Sequence, residues 1–298
     1  MSAEPLDIIG GSAQRAGRLA RLQAGLSSKA WLMVPSLLLL FFLFLVPLVA
    51  IIGQSFASPD GTFDAYRRIL TSGGSLASLF YTFRVAVAVT LLSLILAYPV
   101  AYFIANARAT LQLVLISMVL VPFWTSAVIR SYSWLVMLQR KGVVNDVLLG
   151  VGLIDRPLRL ANTELGVHLA MVQVMLPFMA LPLINAMRNI NPGLMLAASI
   201  LGANPLKQFL QVYLPLSGPG VLAGSALVFI TTLGFYITPA LLGGDGMMVA
   251  VMIEQQASRQ LDWPLASALA TLLLVSTCVF FLVIERLRAA QAAFRRPR

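Results

Sequence analysis

Long stretches without a charged residue alternate along the chain with shorter polar segments. A helix that crosses the ~30 Å hydrocarbon core of a membrane needs about 20 consecutive apolar residues. Uncharged stretches of that length or more occupy residues 30–59, 85–107, 109–129, 165–187, 208–244 and 263–284. The pattern therefore predicts an all-α, polytopic membrane protein with six transmembrane helices.

A seventh uncharged stretch, 189–206, is 18 residues long but has the composition of a turn. Its turn and cap residues are Asn189, Asn191, Pro192, Gly193, Asn204 and Pro205. Irregular backbone is costly in lipid, because its polar groups find no partner there. We therefore expect this stretch outside the membrane, and an even number of spans then places both termini on one side.

Basic residues are concentrated in the two terminal tails. They are Arg15, Arg18, Arg21 and Lys29 before the first span, and Arg286, Arg288, Arg295, Arg296 and Arg298 after the last. Cytoplasmic segments are enriched in Lys and Arg, so both termini are predicted to be cytoplasmic. The predicted organisation is a tail over 1–29, a membrane domain over 30–285 with a cytoplasmic loop at 188–213, and a tail over 286–298. The first apolar run is too long for a cleaved secretory signal.

The composition excludes several classes of protein. The chain has 298 residues, of which 59% are hydrophobic and 11% charged, and its mean hydropathy is +0.88. A soluble domain has roughly 25% charged residues, so neither a soluble enzyme nor a disordered chain fits. The net charge of +10 belongs to a membrane chain and does not indicate a nucleic-acid partner. The single cysteine, Cys278, and the single histidine, His168, form neither a disulfide framework nor a metal site.

The sequence also lacks the motifs that carry common enzyme chemistry. It contains no P-loop, no G-x-S-x-G and no H-E-x-x-H. We therefore expect no enzyme activity and no cofactor bound by this chain. The middles of the predicted spans contain no Asp, Glu, Lys or Arg, which ion-coupled carriers usually place there. If the protein is a pump, its energy comes from another chain.

Local rules divide the 188–213 loop into two short helices. Asn191 is a suitable N-cap, Pro192 suits the first helical position, and Gly202 suits a left-handed helix end. Asn204 and Pro205 then repeat the start signal. The loop is therefore predicted to be a helix, a glycine elbow and a second helix.

The first helix of the loop has a small apolar face, formed by Ala197, Ala198 and Leu201. No charge lies between Arg188 and Lys207, so we expect this face to be covered. Two interpretations stay open. The helix packs against the spans of its own chain, or it is a docking site for a cytosolic partner.

The stretch resembles the cytoplasmic loop of ABC importer permeases, whose pattern is E-A-A, three residues, G, nine residues and I-x-L-P. The residues at the matching positions are Ala197, Ala198, Gly202, Val212, Leu214 and Pro215. The glutamate of the family falls on Leu196, which puts any ion pair of that acid with an ATPase in doubt. The resemblance implies a site that couples to the ATPase. Its residues are Leu196, Ala197, Ala198, Leu201, Gly202, Ala203, Val212, Leu214 and Pro215.

Other segments resemble the subfamily that contains the first permease subunit of spermidine/putrescine importers. These segments are 121–134, 152–183, 235–244 and 262–268. The resemblance implies a type I ABC importer permease in the inner membrane of a bacterium. Its implied partners are a second homologous permease subunit, a cytosolic ABC ATPase that uses ATP and Mg, and a periplasmic solute-binding protein. Whether the second permease is identical or different stays open.

The solute implied by the resemblance is a polyamine. An amino-acid-like compound, thiamine and ferric iron stay open as alternatives. The alternative from a different class is a self-sufficient secondary carrier or channel whose loop packs on its own chain.

Four aromatic residues are the first candidates for the solute path. They are Trp124, Tyr132, Trp134 and Tyr236, at the outer halves of the third and fifth spans. Aromatic faces attract ammonium groups, although an anchoring belt at the membrane interface is the alternative. The candidate acidic partners are Asp245, Glu254 and Asp262, for which solvated loop charges are the alternative. Arg130, at an outer span end, opposes a cation.

Two further expectations concern packing and the outer surface. Gly220 and Gly224 form a G-x-x-x-G that allows close helix approach, within the chain or against the second subunit. The outer segment 131–163 is expected to contain a short helix at 143–151 and, by the resemblance, to help receive the binding protein.

Overall fold

Helices make up all the regular structure in the described residues of the computed structural model, which are 33–59, 61–244 and 246–294. The helices are α1 (Met33–Gln54), α2 (Asp64–Thr71), α3 (Gly73–Asn106), α4 (Ala109–Leu120), α5 (Ala127–Met137), α6 (Val143–Gly150), α7 (Glu164–Arg188), α8 (Pro192–Ile200), α9 (Pro205–Gln208), α10 (Leu214–Leu233), α11 (Ile237–Leu242), α12 (Val249–Glu254) and α13 (Trp263–Phe294). A 3₁₀ turn at Val121–Trp124 and π turns at Phe209–Tyr213 and Gln255–Arg259 join neighbouring helices. The all-α class and the short helix near 143–151 are confirmed.

Among the described residues, five helices are long and apolar enough to cross a membrane, and a bent pair raises the number to six if it is counted as one span. The pair is Ala109–Trp124 with Ala127–Met137, and its two halves meet at 94°. Pro122 lies at this bend, where a proline removes one backbone donor and clashes with the preceding turn. The predicted third span, 109–129, is therefore bent if the two halves are counted as one span.

The helix of the second span is longer than the uncharged stretch 85–107 that predicts it. α3 begins at Gly73 and runs for 34 residues. Arg84 lies on an exposed face of this helix, where it pairs with Glu164 and stacks over Tyr81. A helix of this length measures about 51 Å, so its first turns extend beyond the hydrocarbon core.

The core of the described structure is formed by α3, α7 and α10, which pack against one another. The methionines Met171, Met175 and Met179 of α7 are fully buried in it. In contrast, the most apolar stretch of α1 buries none of its residues against the rest of the chain. The tail 1–29 lies outside the described residues, and α13 continues through Phe294 into the predicted C-terminal tail.

The chain direction of α3, α7 and α10 defines two ends of the helix core. α3 finishes at Asn106, α7 finishes at Arg188, and α10 starts at Leu214 after the 188–213 loop, so these three residues lie at what we call the loop end. The starts of α3 and α7, with segment 138–163, lie at the opposite end, where Arg84 pairs with Glu164.

Candidate functional site

The 188–213 loop begins with a capped helix. The side-chain oxygen of Asn191 accepts a hydrogen bond from the backbone N–H of Gly193 at 2.8 Å, and Pro192 occupies the first turn of α8. Both features satisfy or remove backbone donors that a helix start leaves unpaired. With only 9 residues, α8 is too short to span a membrane.

Gly202 forms the elbow that ends α8. Its φ is +82°, in the left-handed region, and its N–H donates to the carbonyl of Ser199 at 3.0 Å. The N–H of Ala203 donates to the carbonyl of Ala198 at 3.0 Å. This pair of bonds is a Schellman motif, which reverses the chain direction while pairing the last helical carbonyls.

The second helix of the loop starts directly after the elbow. The side-chain oxygen of Asn204 accepts from the N–H of Lys207 at 2.8 Å, and the side chain of Gln208 donates to the carbonyl of Ala203 at 2.8 Å. The predicted helix, elbow and helix are therefore present, and hydrogen bonds hold the two helices at a fixed angle.

The outer face of this loop is apolar and exposed. Leu201 is 86% exposed and Leu196 is 63% exposed, and Ala197 and Gly202 are also exposed, whereas Ala198 is half-buried. In the opposite direction, Met195 packs against the core. Burying a leucine side chain stabilises by roughly 1.5–3 kcal/mol, so this surface favours a partner. Within the described residues, the side chain of Leu201 is exposed and does not pack on the spans of its own chain.

An aromatic cluster joins the loop to α3. It consists of Tyr98, Tyr102, Phe209 and Tyr213. The rings of Tyr102 and Tyr213 lie 4.9 Å apart in an edge-on contact, and Phe209 lies 6.0 Å from Tyr98. Edge-on ring pairs add roughly 0.5–1.5 kcal/mol to the burial of their area. The cluster therefore connects the end of the loop firmly to the loop end of α3.

Two polar contacts reinforce this cluster. The hydroxyl of Tyr98 lies 2.9 Å from the hydroxyl of Ser217, and the side chain of Asn106 donates to the hydroxyl of Tyr213 at 3.4 Å. Sequence reasoning missed these residues. The sequence does carry a signal for them. Tyr98 and Tyr102 are four residues apart, as are Phe209 and Tyr213, and this spacing places each aromatic pair on one helix face.

The π turn at Phe209–Tyr213 lies between the loop and α10. Pro215 follows it and is exposed, while Val212 is half-buried. Pro215 has no N–H to donate to the carbonyl of Gln211, so one regular helical hydrogen bond is lost there. The π turn lies at this position because the helix widens where that bond is missing. Through this turn, residues Pro205–Leu233 form one span-length helical segment.

Gly220 and Gly224 lie against α7 of the same chain. A Cβ on Gly220 would come within 2.6 Å of the Cβ of Ala186, and one on Gly224 within 2.8 Å of the sulfur of Met179. The Cβ on Gly220 would also lie 2.9 Å from the backbone oxygen of Pro182, so only glycine permits the approach there, whereas the sulfur at Gly224 belongs to a flexible side chain. The small residues thus serve packing within the chain.

The aromatic candidates for the solute path are distributed around the bent span. Trp124 is 89% exposed at the bend, and Tyr132 is exposed on α5. The indole N–H of Trp134 donates to the side chain of Gln173 on α7 at 3.3 Å. Tyr236 lies exposed at the start of α11, which is joined to α5 by a buried hydrogen bond of 2.7 Å between the hydroxyls of Ser131 and Thr238.

A cavity of about 580 Å³ lies between α3, α4 and α7, next to the bend. Its lining is apolar except for the side chain of Gln173, and it includes Pro99, Pro122 and Pro177. Sequence reasoning did not select Gln173 as a site residue, although a carboxamide in the middle of an apolar run is a visible signal. No carboxylate lines this cavity.

Two acidic candidates, Glu254 and Asp262, lie at the opposite end from the loop. Asp262 accepts a hydrogen bond from Arg68 at 2.9 Å and caps α13 through the N–H of Leu265 at 3.1 Å. It therefore has a structural role. Glu254 is half-buried at the end of α12, and Asp245 lies outside the described residues. Arg130 donates to the carbonyl of Thr125 at 3.4 Å.

Within the described ranges, no group of three or more His, Cys, Asp and Glu side chains is arranged to hold a metal ion. The cysteine, Cys278, is free and exposed. The predicted coupling residues therefore lie in the loop and at the start of α10, and the aromatic candidates Trp124, Tyr132 and Trp134 lie along the bent span.

Comparison with known proteins defines the class. Residues 113–287 match the family described as binding-protein-dependent transport system inner membrane component. The chain is 34% identical over 257 residues to the spermidine/putrescine transport system permease protein PotB of Escherichia coli (strain K12), covering 83% of this chain and 93% of that protein. It is 31% identical over 239 residues to the inner membrane ABC transporter permease protein YdcU of the same organism, covering 76% of each chain.

Solved structures share the fold. A bacterial ABC transporter that imports the acidic polysaccharide alginate matches with a TM-score of 0.66 at 18% identity, over 91% of this chain and 98% of that chain. The alginate transporter in complex with an alginate pentasaccharide-bound periplasmic protein matches with a TM-score of 0.69 at 20% identity, over 86% and 93%. The fold is thus that of ABC importer permeases.

The chain belongs to the family of binding-protein-dependent transport system inner membrane components. It is a multi-pass inner-membrane transport subunit.

Proposed function

We propose that the chain is one of two permease subunits of an ATP-driven importer of polyamines, and that the 188–213 loop couples it to a cytosolic ATPase. The observation that carries the coupling role is the elbow at Gly202. It combines an exposed apolar face with a firm connection to the helix core. The similarity to spermidine/putrescine permeases supports the class of solute.

The proposed orientation places the loop end in the cytoplasm with both terminal tails. The basic residues of the tails support this placement, because Lys and Arg are enriched in cytoplasmic segments. Arg108, Arg188 and Lys207 lie at the same end of the helices. The opposite end, with segment 138–163, then faces the periplasm.

The coupling begins with α8 docked on the ATPase. ATP and Mg belong to that partner, and its closure on ATP displaces α8 and the elbow. The Schellman motif keeps α8 and α9 at a fixed angle, so the displacement reaches the π turn at Phe209–Tyr213. Since π turns interrupt regular helix geometry, this turn is a suitable place for a change of helix register.

The aromatic cluster transfers this displacement to the spans. Tyr98 and Tyr102 belong to α3, whereas Phe209 and Tyr213 belong to the segment that enters α10. The close seam at Gly220 prevents α10 from sliding independently of α7. The three core helices therefore move together against the bent span, which is the kind of discrete rearrangement that alternating access requires.

The solute path follows the bent span. Trp124 offers an exposed ring face, and an ammonium group over such a face gains roughly 0.5–2 kcal/mol. Contacts of this strength allow the solute to be released again. The apolar cavity beside Gln173 suits the methylene chain of a polyamine rather than its charges.

The experiment that tests this proposal has two steps. The tagged protein is first extracted gently and its co-purifying chains are identified by mass spectrometry. The complex is then assayed for ATP hydrolysis with its binding protein and a panel of solutes that includes spermidine, putrescine, an amino acid, thiamine and ferric iron. A P-loop ATPase and a second permease, with hydrolysis stimulated by a polyamine, are expected. Isolation of this chain alone, with transport that needs no ATP, contradicts the proposal.

A further inference from the structure

Three prolines line the cavity between α3, α4 and α7. They are Pro99 in α3, Pro122 at the bend and Pro177 in α7. A proline has no N–H, so it cannot donate to the carbonyl four residues before it. Pro177 therefore leaves the carbonyl of Gln173 without its regular donor, and Pro122 does the same at Met118. Since Gln173 and Met118 also line the cavity, two residues of its wall carry a main-chain oxygen that has lost its helical partner.

The main-chain oxygen of Gln173 lies deep within its span. Gln173 is about 14 Å along the axis from the start of α7, a helix of 25 residues that measures about 37 Å. A carbonyl at that depth has no water to bond, so a neighbouring side chain commonly satisfies one that a proline frees. Among the described residues no side chain does this for Gln173, and the indole of Trp134 donates to its side chain instead. The main-chain oxygen is therefore available to a ligand.

Trp134 holds the side chain of Gln173 in one orientation. The indole N–H lies 3.3 Å from the side-chain oxygen of Gln173. An indole nitrogen can only donate, so the amide oxygen and not the amide nitrogen faces Trp134. This oxygen has two lone pairs, and the indole uses one of them. Gln173 thus offers a second acceptor in addition to its main-chain oxygen.

The rest of the cavity wall is apolar and carries no ionised side chain. It includes Val100, Phe103, Leu115, Val119 and Leu176. Carbonyl oxygen atoms at broken helices bind cations inside membrane proteins. Neutral acceptors hold a cation without a full opposite charge, which leaves it free to move on. A cavity with neutral acceptors and an apolar wall is complementary to an alkylammonium group, which has a charged head on an apolar chain.

We propose that Gln173 and the carbonyl of Met118 form a subsite for one ammonium group of the transported solute. This proposal rests on the proposed function, because the class of solute is taken from there. A primary ammonium group has three N–H donors, and the two oxygen atoms of Gln173 with the carbonyl of Met118 provide three acceptors. The methylene chain behind the ammonium group lies against the apolar wall. Pro177 and Trp134 are positioning residues, because they act through the oxygen atoms of Gln173.

The test measures the binding of putrescine to the complete importer in nanodiscs, without binding protein or nucleotide. Saturation-transfer NMR is suited to the weak binding expected. Pro177→Ala returns an N–H to the carbonyl of Gln173, and Gln173→Leu removes the side-chain acceptor. Each is expected to raise the Kd about threefold to tenfold, as for the loss of one hydrogen bond. The matched control is Pro182→Ala, in the same helix but away from the cavity, and it is expected to change the Kd less than about twofold.

A third variant gives a change that damage to the fold does not produce. Gln173→Glu keeps an acceptor for Trp134 and adds a negative charge, so it is expected to lower the Kd about tenfold. The contribution of charge is tested with butane-1,4-diol, which has the same methylene chain with hydroxyl groups in place of the ammonium groups. The diol is expected not to displace putrescine at equal concentration.

Several outcomes overturn the proposal. One is that Pro177→Ala and Gln173→Leu bind putrescine as the control does. Another is displacement of putrescine by the diol at equal concentration, which makes the site apolar only. If Pro177→Ala does not assemble, the two Gln173 variants decide, and a Kd that is unchanged in both overturns the subsite. ATP hydrolysis stimulated by a polyamine-loaded binding protein is measured in the same discs. If it is present while the unaltered complex binds no putrescine, only the subsite is overturned, whereas its absence contradicts the proposed function itself.

Discussion

The hydroxyl of Tyr98 lies 2.9 Å from the hydroxyl of Ser217, in a contact that joins α3 to the first turns of α10. Ser217 is fully buried, so the contact is shielded from water. It lies directly beside the aromatic cluster that follows the 188–213 loop. A displacement of the loop is therefore transmitted directly to α3 and α10, two of the three core helices.

Tyr98→Phe removes this contact and keeps the ring. Loss of one such hydrogen bond costs about 1 kcal/mol, which corresponds to about fivefold in the equilibrium between joined and separated arrangements. We expect the amount of solute imported per ATP hydrolysed to fall by up to that factor, with assembly of the complex unchanged. The measurement is uptake and hydrolysis in the same proteoliposomes.

The matched control is Tyr102→Phe. The side-chain hydrogen bonds of the described residues do not include the Tyr102 hydroxyl, whereas its ring takes part in the same cluster. If uptake and ATP hydrolysis fall equally in Tyr98→Phe, the amount of solute imported per ATP hydrolysed is unchanged. In that case the Tyr98 hydroxyl contributes to stability and not to coupling.

Gly202→Val is expected to uncouple ATP hydrolysis in the partner from solute transport. The φ of +82° disfavours any residue with a Cβ, at a cost of roughly 1–2 kcal/mol, and a β-branched side chain is the least tolerant. There is open space around the site, so strain in the elbow and not a clash is the cause. We expect normal insertion into the membrane and loss of uptake, measured with radiolabelled solute in cells.

Two variants make this prediction specific. Gly202→Asn is expected to retain much of the uptake, since asparagine tolerates the left-handed conformation. Gly218→Val also enters open space, without a positive φ, and is expected to be active. Normal uptake by Gly202→Val contradicts the proposed coupling role of the elbow.

Gly220→Ala is expected to destabilise the seam between α10 and α7. The new methyl group would lie 2.6 Å from the Cβ of Ala186, and overpacking of this kind costs roughly 1–3 kcal/mol. Thermal unfolding of the purified protein in detergent measures the loss. The double variant with Ala186→Gly relieves the closest of these contacts and should recover part of it, whereas an unchanged melting temperature in the single variant shows that the seam is wider than described.

Trp124→Ala tests the solute path. Loss of an exposed aromatic face is expected to slow polyamine uptake about two- to fivefold, in line with roughly 0.5–1 kcal/mol per contact. Trp124→Phe keeps a ring and should retain most of the rate. Trp263→Ala, which removes an exposed tryptophan at the start of α13, is the control for a role in membrane anchoring. Equal effects of the two alanine variants favour the aromatic belt.

The local features of this fold could be predicted from sequence. The elbow at Gly202 follows from caps and a glycine within a few residues, and the spans follow from long uncharged runs. The 94° bend after Trp124 could not be predicted from sequence, because a proline permits a bend in a helix without setting its angle. The contact of Tyr98 with Ser217 joins residues 119 positions apart, and only helix packing brings them together.

The most direct test of the coupling account is a cross-link from Leu201 to the ATPase. Leu201→Cys is made in a Cys278→Ser background, and the assembled complex is treated, with and without ATP, with a short cross-linker that reacts with this thiol at one end and couples to any neighbouring side chain on photoactivation at the other. The account predicts a product with the ATPase whose yield depends on nucleotide. Leu153→Cys, at an exposed position in segment 138–163, should give none. A product from Leu153→Cys and none from Leu201→Cys contradicts both the docking of α8 and the proposed orientation.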